Sequence, residues 1–224
     1  MTGTLASLQK QLSDYAAEFA KKVPDEVRAT MDEAGASVAE FVEGLRIIGD
    51  DDEAPNFELP DATGKQVVLE ELLAVGPVVL TFYRGGWCPY CNLELRALQA
   101  ALPEFRAHNA TLAAVSPQTP DQSLSTAEKN ELEFTVLSDV GNTVAAKFGL
   151  VFTLPESLRP IYENFGIDLP AHNGDNSFEL PVPATYVIDQ NRRVRYSFVN
   201  ADYRQRAEPS ELLAALADLD CCKS

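Results

Sequence analysis

The sequence predicts an α/β fold: a central mixed sheet between layers of helix, with a helical extension at the amino terminus. Three observations predict it. From residue 49 onward strand-like and helix-like stretches alternate, the pattern of βα units. VVLTFY at 78–83 is a continuous apolar run rich in β-branched and aromatic residues, which marks a strand covered on both faces. ATYVID (184–189) and RVRYSFVN (193–200), separated by Gln190-Asn191-Arg192, have the spacing of a closing hairpin.

The elements follow in order. In residues 1–48, Leu5, Leu8, Leu12, Tyr15 and Phe19 recur at steps of three and four, and after Pro24 the pattern resumes with Val27, Met31, Ala34, Val38, Phe41, Leu45 and Ile48. Two amphipathic helices with a break at Val23-Pro24 are expected. They either pack on the main domain or act as a dimerisation arm, so a homodimer is one expectation. The acidic hinge GDDDEAP leads into residues 49–224. There FELPDATGKQVVLEELL reads as strand, turn at Ala62 to Lys65, strand and helical turn. After VVLTFY come a helix from Pro89 to His108, strand TLAAVS (111–116), a helix through 121–132, strand FTVLS (134–138) and helix GNTVAAKFG. Residues 150–181, with Pro155, Pro160, Pro170 and the turn-like Asn173-Gly174-Asp175, read as an inserted connecting region. A last helix begins near Pro209-Ser210-Glu211.

Composition narrows the function. A hydrophobic share of 46% over 224 residues suffices for a sizeable core. The formal charge of −16, from 18 Lys and Arg against 34 Asp and Glu, argues against nucleic acid and anionic membranes as partners. The opening MTGTLASLQKQL lacks the basic and apolar regions of a secretory signal, and no apolar run approaches a membrane span. A cytoplasmic location is therefore expected. The 4 cysteines are a C-x-x-C pair and two adjacent residues in the terminal tail, Cys221 and Cys222, an arrangement that suits chemistry better than stapling.

The informative stretch is FYRGGWCPYCNLELRALQ at 82–99. A buried strand ends at Tyr83, Gly85-Gly86 turns the chain, and a helix starts near Cys88. Cys91, Leu95, Leu98, Leu102 and Phe105 share one helix face, so Cys91 points inward. Cys88, in the opening turn, is expected to be the exposed member, close to unpaired N–H groups and the positive end of the helix dipole. Such a setting can lower a cysteine pKa from about 8.5 to about 3.5, which makes Cys88 the expected nucleophile. Positions i and i+3 share a face, so Cys91 can attack an oxidised Cys88. A half zinc site is the alternative, but His108, His172 and the terminal cysteines lack ligand spacing; no metal or cofactor is expected. Trp87 either shields the sulfur or packs, Tyr90 is expected to be exposed to substrate or reductant, and Glu94 and Arg96 read as solvated charges.

Strand, turn, Trp-Cys-Pro-Tyr-Cys and helix resemble the thioredoxin-fold redox motif. VPATYVID at 182–189 resembles the strand that a cis-proline introduces in that fold, here Pro183, which would lie against the cysteine pair. APNFELPDATGKQVVLEELLAVGPVVLTFYRG and AAVSPQTPDQSLSTAEKNELEFTVLSDVGNTVAAKFGL resemble the peroxiredoxin-like branch that contains alkyl hydroperoxide reductase and thiol-specific antioxidant proteins. The resemblance spans about residues 50–200. It implies a thioredoxin-like, peroxiredoxin-type sheet and a thiol-dependent peroxidase. In that reading Cys88 is oxidised by a hydroperoxide to sulfenic acid, resolved by Cys91, and recycled by thioredoxin or glutathione. Arg84, Trp87, Tyr90 and Pro183 would contact substrate. Two departures stand out: Gly85 occupies the place of the family's Thr or Ser, and Pro183-Ala184-Thr185 that of its late-strand Arg, leaving Arg84 as the substitute charge. Two other functions fit the same residues, a thiol-disulfide oxidoreductase and a redox-responsive interaction protein without turnover.

Overall fold

The computed structural model describes residues 7–221. The arm comes first as α1 (Leu8–Lys22) and α2 (Asp25–Glu43), divided at Val23-Pro24. The Ser7 hydroxyl accepts the Lys10 N–H at 3.2 Å and caps α1, while Asp25 and Glu26 complement the dipole of α2. Next are β1 (Glu58–Pro60) and β2 (Gln66–Val68), an antiparallel ribbon, then α3 (Leu69–Val75) and β3 (Val78–Phe82). The Asp61 carboxylate forms the ribbon's turn by accepting from the N–H groups of Thr63 and Lys65 at 2.8 and 3.0 Å.

The expected long helix after β3 is two helices, α4 (Pro89–Ala100) and α5 (Leu102–Ala107). Pro103 is the cause: it has no N–H to donate and its ring crowds the preceding turn, so the chain resets at Ala101. Then follow β4 (Thr111–Ser116), α6 (Pro120–Lys129), β5 (Thr135–Ser138) and α7 (Thr143–Lys147). The region expected to be a plain connection is structured. It forms β6 (Val151–Thr153), a 3-10 turn (Glu156–Leu158), α8 (Arg159–Asn164), α9 (Leu169–Asn173) and β7 (Glu179–Pro181), with β6 and β7 paired. Leu154, Leu158, Tyr162, Leu169 and Leu180 anchor it by burial; only the first three share a helical spacing, and Pro155 and Pro160 interrupt it. The chain closes with β8 (Ala184–Ile188), β9 (Val194–Val199) and α10 (Pro209–Cys221).

The five-stranded sheet has the order β5-β4-β3-β8-β9. Strands β3, β4 and β5 are parallel, and β8 runs antiparallel to both β3 and β9. All of β3 is buried, as its apolar run requires of a strand at the centre with helices on both faces. One core face holds Leu80, Phe82, Phe148 and Tyr186; the other holds Val79, Cys91, Leu95 and Phe105. The arm divides its apolar surface between them: α1 packs on α4 through Leu8 and Leu12, and α2 packs on the 3-10 turn and β6 through Ala34 and Val42. Part of both helical stripes is thus buried within the chain, at Leu8, Leu12, Ala34 and Val42, while Phe41 stays exposed. Among the described residues no helix is long and apolar enough to cross a membrane.

Leu12→Ala is therefore expected to destabilise the fold by about 2–5 kcal/mol. Phe41→Ala, at a side chain 53% exposed, should cost less than about 0.5 kcal/mol. Urea unfolding of the two variants checks the difference, and equal costs would mean that α1 does not pack as described.

Candidate active site

The site begins where β3 ends. The Tyr83 N–H still bonds the Val115 carbonyl at 2.9 Å, after which the backbone leaves the sheet through Gly85 and Gly86. At Gly85, φ is +145°, and a Cβ would stand 2.3 Å from the Trp87 indole nitrogen. At Gly86 a Cβ would stand 2.2 Å from the Thr126 hydroxyl. The space that a Thr or Ser at position 85 would need is filled by the Trp87 ring. The turn is held from the loop before α6 and from α4: the Gly86 N–H donates to Gln118 Oε1 at 2.7 Å, and Asn92 Nδ2 donates to the Gly86 carbonyl at 2.8 Å. Asn130 Nδ2 in turn donates to Asn92 Oδ1 at 2.9 Å.

Cys88 is the N-cap residue of α4, with Pro89 in the first turn, as the motif predicts. Its exposure departs from expectation, being only 2%. Tyr90 is likewise 5% exposed, and the same neighbour explains both. Helix α1 lies over the start of α4, and Tyr15 meets the Tyr90 ring edge-on at 5.1 Å, with Tyr203 against it at 5.4 Å. No local pattern near the cysteines reports that cover. Cys91 points inward with no exposed surface, as its helix face requires.

The two thiols differ because their surroundings differ. Cys88 is lowered from the ordinary thiol value first by a hydrogen bond from the Cys91 thiol, and further by the positive charges of Arg84 and Arg206, all against the effect of burial. Burial pushes Cys91 well up, and its neighbour's sulfur adds to the rise. Arg84, 3% exposed, sits among Trp87, Tyr162 and Tyr203, its guanidinium carbon 4.5 Å from the Tyr203 ring centroid and 5.2 Å from that of Trp87. It donates to the Tyr162 hydroxyl. Arg84 Nε and Trp87 Nε1 are buried donors with no acceptor among the described residues. Both side chains line, with Cys88, a cavity of about 250 Å³. Its remaining walls are apolar and aromatic: Phe19 and Met31 from the arm, Tyr162 and Phe165 from the inserted region. Phe19 and Phe165 meet edge-on at 5.9 Å and join the two additions over the site.

Other expectations are corrected. Glu94 is not a solvated charge; it is 1% exposed and accepts from Arg206 Nε at 2.7 Å. It stands three residues beyond Cys91, on the buried face, so spacing alone pointed it inward. Burial lifts its carboxyl to about 7 against the pull of Arg206. Arg96 is exposed and donates to Asn130 Oδ1 at 3.0 Å. No peptide bond among the described residues is cis, and Pro183 lines a smaller neighbouring cavity beside Arg84 and Val182 instead of the one over Cys88. His108 meets Asp220 at 2.7 Å and His172 meets Gln122 at 2.9 Å, neither lining the Cys88 cavity. Cys221 is exposed at the end of α10, and Cys222 lies outside the described residues. Among the described residues no group of three or more His, Cys, Asp or Glu is placed to hold a metal ion. Sequence reading missed Tyr162, Tyr203 and Arg206, which arrive from the inserted region and the β9–α10 loop with no motif to mark them.

A lowered thiol at a helix start and a second cysteine one turn on thus sit at the end of the central strand of a mixed sheet of thioredoxin type. Residues 51–197, more than half of the chain, match the AhpC/TSA family, and the chain belongs to that family. A Mycobacterium tuberculosis protein that carries the name peroxiredoxin is 30% identical over 165 residues, covering 74% of this chain and 94% of the relative. Chloroplastic peroxiredoxin Q of Oryza sativa subsp. japonica is 30% identical over 166 residues, 74% of this chain and 65% of the relative. Among solved structures, peroxidoxin BcpB of Mycobacterium tuberculosis superposes with a TM-score of 0.61 at 27% identity, covering 77% of this chain and 98% of that one. The reduced 2-Cys peroxiredoxin of Plasmodium vivax gives the same TM-score at 19% identity, covering 79% and 84%, a likeness of fold. The activity of the class is thiol-dependent peroxide reduction.

Alkylation of Cys88 by iodoacetamide should accordingly show a pH midpoint well below the ~8.5 of a free thiol. Cys91→Ala should move it up, because the largest favourable contact is lost, and Arg84→Met should move it up by less. Mass-resolved alkylation rates between pH 4 and 10 test the order; a wild-type midpoint near that of a free thiol contradicts the assignment.

Proposed function

We propose that the chain reduces hydroperoxides through Cys88 and Cys91, with Arg84 and Trp87 contacting the peroxide. The observation that carries this reading is the pairing of a lowered Cys88 sulfur with two acceptor-less donors, Arg84 Nε and Trp87 Nε1, around one cavity. A hydroperoxide brings the oxygen acceptors those donors lack. Cys88 thiolate attacks one peroxide oxygen, the O–O bond breaks, and the departing alkoxide or hydroxide takes a proton, leaving Cys88 sulfenic acid. The Cys91 thiol then attacks the oxidised sulfur, water departs, and a Cys88–Cys91 disulfide remains. Two electrons from a thioredoxin- or glutathione-type thiol restore the pair.

The cavity's aromatic lining supports a hydroperoxide with an apolar substituent in preference to hydrogen peroxide, since the substituent buries surface there at about 25 cal/mol per Å². A thiol-disulfide oxidoreductase would use the same motif. Peroxide consumption with dithiothreitol as reductant decides between them. Cys88→Ser should abolish it, and Cys91→Ser should accumulate sulfenic acid that dimedone traps. Arg84→Met should lower kcat/KM for cumene hydroperoxide by about 10–100-fold, the loss of one to two charged hydrogen bonds. Disulfide exchange that is fast while peroxide reacts no faster than with a free thiol would overturn the reading.

A further inference from the structure

Behind the cysteines lies a charged group that does not face the cavity where peroxide would be attacked. Arg206 is 4% exposed, comes from the loop before α10, and is absent from the cavity walls around Cys88. Its Nε donates to Glu94 Oε2 at 2.7 Å, its Nη1 to the carbonyls of Tyr203 and of Gln205, the latter at 2.8 Å, and its Nη2 to Cys91 Sγ at 3.4 Å. Glu94 is fixed in turn: its Oε1 lies 3.4 Å from the Thr81 hydroxyl and 3.3 Å from that of Thr185, on β3 and β8. An ion pair so deep costs desolvation that a well-packed apolar pair avoids. Every other donating nitrogen of the guanidinium is tied to a carbonyl or a carboxylate, so Nη2 is aimed at one sulfur.

We propose that Arg206 is a catalytic residue of the reductive half-reaction, stabilising the Cys91 sulfur as the leaving thiolate when the Cys88–Cys91 disulfide opens. The inference rests on the peroxidase reading above and deepens it. Cys88 lines the cavity while Cys91 has no exposed surface, so a reductant thiolate reaches Cys88 Sγ. A bond forms between the two sulfurs, the Cys88–Cys91 bond breaks, and its electron pair departs on Cys91 Sγ. The reductant's second thiol then attacks the reductant's own sulfur, Cys88 leaves as thiolate, and the proton released by that second thiol passes to Cys91. The pair gains two electrons and the reductant dithiol becomes a disulfide. A thiol of high pKa is a slow leaving group, and burial places Cys91 in that position; a fixed guanidinium 3.4 Å away offsets it. Glu94 is a positioning residue that holds the guanidinium.

The test separates the half-reactions in a background lacking the two terminal cysteines. The disulfide is formed with diamide, so it exists whether or not peroxide forms it, and its opening by dithiothreitol is followed through the fluorescence of Trp87, the single tryptophan. Arg206→Met should slow opening at least about tenfold, the loss of one charged hydrogen bond. Oxidation of Cys88 by peroxide, measured with Cys91→Ser, loses only the smaller of the two guanidinium contributions to the Cys88 sulfur, so it should slow clearly less than opening does, and Arg206→Lys should restore part of the opening rate. The double variant Glu94→Gln/Arg206→Gln removes the charge without stranding a buried carboxylate, and the same tenfold slowing is expected if the single variant does not fold. Opening at the wild-type rate in either folded variant overturns the proposal, as does equal slowing of both half-reactions. A wild-type Cys88 that peroxide does not oxidise sinks the peroxidase reading instead and leaves the disulfide measurement standing.

Discussion

The rest of the structure is arranged around the Cys88 sulfur, held out of water and lowered toward its anionic form. A buried anion is expensive unless it is hydrogen-bonded and faced by opposite charge. Here the Cys91 thiol supplies the hydrogen bond, and two buried guanidiniums, Arg84 and Arg206, supply the charge. Each arginine needs its own support. Arg84 is set among three aromatic rings, and Arg206 is locked by Glu94 and backbone carbonyls. The residues that support them come from β3, α4, α8, β8 and the loop before α10, so the lowering of the Cys88 thiol depends on the closing of the whole domain.

The same requirement gives a physical role to the segments added around the sheet. A thiolate at a helix start is ordinarily open to solvent. Here α1 covers Tyr90, α2 contributes Met31, and the inserted region contributes Tyr162 and Phe165. Water exclusion strengthens every electrostatic contact at Cys88. It also leaves an apolar cavity over the sulfur in place of a shallow exposed cleft.

Much of this was legible in the chain. The buried strand VVLTFY, the closing hairpin, the break at Val23-Pro24, the N-cap position of Cys88 and the inward turn of Cys91 all follow from periodicity and local stereochemistry. The failures have specific causes. One proline, Pro103, split a helix that its apolar stripe carried through. The strands of the inserted region are 3 residues each, too short to show alternation. Glu94 was misread because charge was weighed above its helical position, and Tyr90 because exposure depends on what packs on the helix from elsewhere.

The sequence by itself determined the class: a mixed sheet, a nucleophilic cysteine opening a helix, and a second cysteine one turn on. These are properties of neighbours along the chain, where backbone geometry sets the spacing. Only the tertiary structure decided what surrounds the sulfur. Arg206 lies 115 positions from Cys91, and Tyr162 lies 78 from Arg84. Charges and aromatic rings act through distance in space, and no local pattern encodes which remote side chains packing will bring within hydrogen-bonding reach of the thiols.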